Sequence, residues 1–144
     1  MIAYKFTETE LRFLCEQLGN IKPWGIFTEG GALSADECRQ AMASLRNKGF
    51  VAGEDSSASV NSVIALLIRS LGKAQRVLVG TEEGFTAYIC ENISLLLIKD
   101  GGEGRFLLYP FQSESSLSEW LGENGIYQWD TLREEEFYNG KDNR

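Results

Sequence analysis

Around Arg76 the apolar periodicity of this chain switches from helical to strand spacing, which limits it to a helical unit leading into a sheet. Up to Gly72 apolar residues recur at i, i+3, i+4 and i+7; beyond Arg76 they fall into short β-rich runs divided by glycine-rich turns. Connections that short join antiparallel neighbours, since a parallel crossover needs a dozen residues or more. The pattern therefore predicts an α+β protein whose sheet, in its simplest form, is an antiparallel meander of four strands with flanking helices.

Thr7 and Glu10 have the spacing of a capping box, and Leu11, Leu14, Cys15 and Leu18 follow on one stripe, which predicts a helix over Glu8–Leu18 stopped by Gly19-Asn20. Pro23-Trp24-Gly25 reads as a loop with an apolar anchor. Ser34 and Glu37 repeat the box, Cys38, Ala41, Met42 and Leu45 repeat the stripe, and Gly49 stands where a C-cap glycine is needed. Phe50-Val51 predicts a short extended segment. A helix, a turn, a second helix and an extended piece make this N-terminal unit winged-helix-like. From Val60 to Leu71 a third helical face, Val60, Val63, Ile64, Leu67 and Leu71, is widened by Leu66 and Ile68, so this helix is expected to lie buried between layers and to end at Gly72.

Strands are expected at Val77–Val79, Phe85–Cys90, Ile93–Lys99 and Arg105–Tyr109, the last closed by Pro110. Leu95 to Ile98 are apolar on both faces, which calls for a central strand covered on each side by helices or a partner subunit. Ser116 with Glu119 suggests another cap, placing Leu117, Trp120 and Leu121 on a short helix that docks on the sheet and stops at Gly122. The charged tail contains Trp129, Leu132, Phe137 and Tyr138, as a docked helix or a partner-binding segment would. Residues 139–144 are expected to be disordered, leaving 1–138 as one domain.

Composition narrows the function. With 21 acidic against 14 basic residues the net charge is −7, which opposes a phosphate backbone, and Arg39, Arg46 and Lys48 are the one compact basic group. The chain has no histidine, which removes the commonest general base and metal ligand. Cys15, Cys38 and Cys90 are odd in number, widely spaced and set in apolar patterns, as free thiols in a reducing compartment would be. The N-terminal residues lack an apolar signal region and no apolar run approaches a bilayer span, so cytoplasmic residence without membrane contact is expected.

Neither carboxylate cluster, Glu82-Glu83 or Glu134 to Glu136, has the apolar surroundings that would tune an acid or base. Gly101-Gly102-Glu103-Gly104 offers backbone N–H groups, but both flanks read as strands and Asp100 and Glu103 would repel an anion, so a hairpin tip is the better reading. No enzyme activity, cofactor or metal is expected. The helix from Ser34 to Lys48 stands where a recognition helix would, yet Asp36 and Glu37 occupy its N-terminal turn.

Leu45-Arg46-Asn47-Lys48-Gly49-Phe50-Val51, the expected helix Val60 to Leu71, the strand Arg76-Val77-Leu78-Val79, and the succession Tyr88-Ile89, Ile93 to Ile98 and Phe106-Leu107-Leu108-Tyr109-Pro110 before a last short helix together resemble the EspG-like accessory proteins of type VII secretion. The resemblance is one of layout, over more than half the chain. It implies a cytosolic adaptor or chaperone for helical secretion substrates, with no chemistry of its own. Members of that group are typically about twice this length and hold two related α/β halves, so this chain would supply one half, and a homodimer would replace the other.

The expected function is thus binding of another protein through an apolar patch with an acidic surround. The candidate contacts are the hairpin tip Asp100, Gly101, Gly102 and Glu103 and the tail aromatics Trp129, Phe137 and Tyr138. The alternatives are a winged-helix DNA-binding regulator and a toxin-neutralising immunity protein.

Overall fold

The computed structural model describes residues 2–25, 32–53, 58–80, 84–100, 104–123 and 133–134. A short strand β1 (Tyr4–Thr7) runs directly into helix α1 (Glu8–Gln17), and helix α2 (Ala35–Asn47) follows. Strands β2 (Val51–Ala52) and β3 (Ser59–Val60) form a small hairpin ahead of helix α3 (Ser62–Leu71). Strands β4 (Arg76–Val79), β5 (Phe85–Ile89), β6 (Ser94–Asp100) and β7 (Arg105–Phe111) come next, then helix α4 (Glu114–Glu123) and strand β8 (Arg133–Glu134). The chain divides into two compact units, Phe6–Gly72 and the remainder, with the boundary at the switch of period.

In the helical unit, α1 packs against both α2 and α3. Leu11, Leu14, Leu45, Ile64, Leu67, Ile68 and Leu71 are among its fully buried aliphatic side chains, and Phe6 and Phe50 meet with ring centroids 5.5 Å apart. Both expected capping boxes form. Thr7 and Ser34 each accept from the backbone of Glu10 and Glu37, whose carboxylates return to the cap N–H groups at 2.7 and 2.9 Å.

The end of α2 is a Schellman motif. Gly49 N–H donates to the Arg46 carbonyl at 3.0 Å and Phe50 N–H to the Leu45 carbonyl at 2.9 Å, which requires a left-handed residue, and Gly49 sits at φ +79°. Gly49→Ala is expected to lower stability by about 1 kcal/mol from backbone strain alone, read as a shifted urea midpoint. Nothing lies within 4 Å of an added Cβ there, so an unchanged midpoint would mean that this geometry is not held.

Two expectations for α3 are corrected. Val60 belongs to β3, opposite Val51, and the helix begins at Ser62 because the Asn61 side chain caps it, accepting from Val63 and Ile64 N–H at 2.9 and 3.3 Å. Nor is α3 buried all round: Val63 is 49% and Leu66 58% exposed, while Ile64, Leu67, Ile68 and Leu71 are buried.

The sheet has the order β1-β7-β6-β5-β4-β8. The expected meander is its centre, with β4, β5, β6 and β7 paired antiparallel in sequence. Leu95, Leu96 and Leu97 of β6 are all buried, as an inner strand apolar on both faces should be. One face joins Leu78, Phe85, Ala87, Ile89, Leu96 and Phe111 to Leu117 and Leu121 of α4 in a single cluster. Trp120 sits beside it, 4.8 Å from the Tyr109 ring and 5.9 Å from Phe111. A side chain at Gly80 would displace a packed neighbour, because its Cβ would come within 2.9 Å of the buried Phe85 ring.

Three boundaries differ from expectation. Pro110 does not close β7, which continues to Phe111; Pro110 stands opposite Leu95, and a residue without N–H is tolerated where the ladder needs no donor from it. The cap of α4 is formed by Ser113 rather than Ser116, its hydroxyl accepting from Ser116 N–H at 3.1 Å, and Glu114 brings a carboxylate to the first turn. Gly122 does not stop that helix, which ends at Glu123. In the tail, residues 133–134 form a short strand against Leu78 and Val79.

Candidate functional site

Of the residues expected to contact a partner, Gly101, Gly102, Glu103, Trp129, Phe137 and Tyr138 lie outside the described residues. Asp100 is the last residue of β6, opposite Arg105, and Gly104 follows in a turn at φ +68°. A hairpin between β6 and β7 thus stands where the glycine-rich run placed it.

The most elaborate polar cluster is one that sequence spacing did not reveal as a cluster. Glu10, 1% exposed, ties α1 to α2. Its Oε1 accepts from Thr7 N–H at 2.7 Å and from Lys48 Nζ at 2.6 Å, while Oε2 accepts from Ser44 Oγ at 2.5 Å. Burial on its own would raise the carboxyl pKa, but the bonds from Lys48, Ser44 and Thr7 outweigh it and hold Glu10 below the ordinary value. An ionised carboxylate with every bond going to the protein itself acts as a clamp between helices. The capping box was legible; the partners 34 and 38 residues away were not.

The three basic side chains that made α2 a candidate recognition helix have internal partners. Arg39 pairs with Asp36, Arg46 donates to the Gly53 carbonyl at 2.9 Å, and Lys48 is held by Glu10. At the N-terminus of α2, Glu37 is held below its ordinary pKa by the backbone N–H and the hydroxyl of Ser34. The first turn is therefore negative where a phosphate or base edge would approach.

All three cysteines are free. Burial, reinforced by the charge of Glu16, pushes the Cys15 thiol up to about 12, and burial also raises that of Cys90, so neither carries the thiolate that nucleophilic chemistry needs. Among the described residues no group of three or more Cys, Asp or Glu side chains is placed to hold a metal ion, and no helix is long and apolar enough to cross a membrane.

The outer stripe of α3 is the remaining surface of note. Val63, Leu66 and Arg69 follow at three-residue spacing and all three face solvent. No acidic residue occurs between Asn61 and Gly72. Sequence periodicity recorded Leu66 as an extra apolar position but could not say that it lay outside the core. No protein-family model matches the chain, and a search of curated proteins also finds no match.

Proposed function

We propose that this protein is an adaptor or chaperone that binds another protein and performs no chemistry of its own. The observation that carries the proposal is the solvent-facing pair Val63 and Leu66 on a helix whose opposite face is core. Single exposed apolar residues are commonplace; two adjacent ones on one stripe gain most when a partner covers them. The resemblance to EspG-like proteins supports the same reading and suggests helical type VII secretion substrates as the cargo class. A cytoplasmic location, a homodimer, and contacts from Asp100 to Glu103 and from Trp129, Phe137 and Tyr138 belong to the same proposal.

A second reading, a winged-helix DNA-binding regulator, is favoured by the β2–β3 hairpin that follows α2, a helix-and-wing order. Against it stand the internal partners of Arg39, Arg46 and Lys48 and the acidic first turn of α2.

Affinity capture from nuclease-treated lysate of the source organism separates the readings. Retention of small helical proteins is the expected outcome. A single toxic enzyme held one-to-one would replace the adaptor by an immunity protein, and retention only when nucleic acid is left intact would favour the regulator.

A further inference from the structure

Resting on the protein-binding reading, we infer that the outer stripe of α3 docks an amphipathic helix whose apolar side chains are flanked by carboxylates. Val63 and Leu66 supply the apolar part of the stripe, 49% and 58% exposed, with Arg69 next along it. Ile21 Cγ2 lies 2.8 Å from where a Cβ on Gly72 would sit, so the segment carrying the exposed Lys22 passes the C-terminal end of the helix. Among the described residues neither Arg69 nor Lys22 has an ion pair or side-chain hydrogen bond.

Arg69 thus borders an apolar pair, and Lys22 lies in the segment at the C-terminal end of the helix, on a chain of net charge −7, and α3 itself contains no acid. That combination selects the occupant. A second copy is disfavoured by its own charges: antiparallel pairing of the two stripes about Leu66 would set each Arg69 against the other copy's Val63, and parallel pairing would set arginine against arginine. A nucleic acid would find Arg69 beside exposed leucine and valine and Lys22 near the helix end, too few cations to displace many counterions. A partner helix with leucine-like side chains at i and i+3 and glutamate or aspartate beyond them meets both halves of the stripe.

The test uses the full chain and a displayed library of 18-residue helical peptides, each with a fixed apolar stripe and flanking positions free to be acidic, basic or neutral. Selection is expected to enrich acidic flanks. Binding of a selected peptide should fall at least about tenfold on Leu66→Glu, and Arg69→Glu should shift the preference toward lysine flanks. Both sites are exposed, so thermal melts of the variants should match the parent and exclude unfolding as the cause. Enrichment of neutral or basic flanks, an absence of binders, or binding that Leu66→Glu leaves intact would overturn the inference, as would a wild-type dimer that Leu66→Glu makes monomeric. Protein cargo from lysate that still binds the Leu66→Glu variant would leave the adaptor reading standing while removing α3 as its surface.

Discussion

Leu96→Ala is expected to lower stability by about 3 kcal/mol, because the site cannot collapse. Leu96 is fully buried in β6, opposite Ala87 on one side and Tyr109 on the other, and it shares its cluster with Leu117 and Leu121 of α4. Two ladders hold the backbone there, so truncation leaves most of the lost volume as a cavity instead of letting neighbours close in. Urea denaturation should show the loss as a lower midpoint. Leu66→Ala makes the internal comparison: the same chemical change on the outside of α3 should stay within about 0.5 kcal/mol. Equal effects at the two positions would mean that the burial of one or the exposure of the other is misassigned.

Glu10→Ala is expected to cost about 2 kcal/mol, roughly half from the lost capping box and the remainder from Ser44 and Lys48 left without their acceptor. Removal of one partner of a fully buried ion pair would cost more, but the Lys48 side chain is 34% exposed and can turn to water. The pH dependence distinguishes this cluster from simple packing. The folded-state pKa of Glu10 lies below its ordinary 4.5, so the carboxylate's contribution is fully present above about pH 4.5 and is lost as pH falls through the folded value. The stability gap between the parent and Glu10→Gln should therefore be constant near neutrality and shrink below pH 4.5. A gap that stays constant down to pH 3 would mean that the ion pair contributes nothing.

What the sequence disclosed, and what it hid, divides along locality. Thr7 with Glu10 and Ser34 with Glu37 bind within four consecutive residues, so their spacing was enough to locate two helix starts. Gly49 was readable for the same reason, since only its own backbone angle was in question. The meander was readable because short turns leave adjacent strands no other partner. Glu10 shows the limit: its capping role was local and visible, but the tertiary clamp depends on Ser44 and Lys48, which α2 brings back over more than thirty residues.

Other misreadings arose where two local rules competed. Ser116 has the spacing of a cap, but Ser113 takes that role and starts α4 at Glu114, where that residue pairs with Arg76 at 2.8 Å. Pro110 resembles a stop, but its place in the ladder depends on register with β6. Leu66 shares the apolar character of Leu67, and only packing separates the exposed residue from the buried one. The candidate surface was least legible for that reason: hydrophobicity identifies side chains that gain from burial without saying which are buried by the chain itself.

The central claim, binding of a protein through the outer face of α3, is tested most directly by running capture from nuclease-treated lysate with the parent and Leu66→Glu side by side. A defined set of proteins retained by the parent and lost from the variant is the expected result. Retention that appears only when nucleic acid is left intact would contradict the claim.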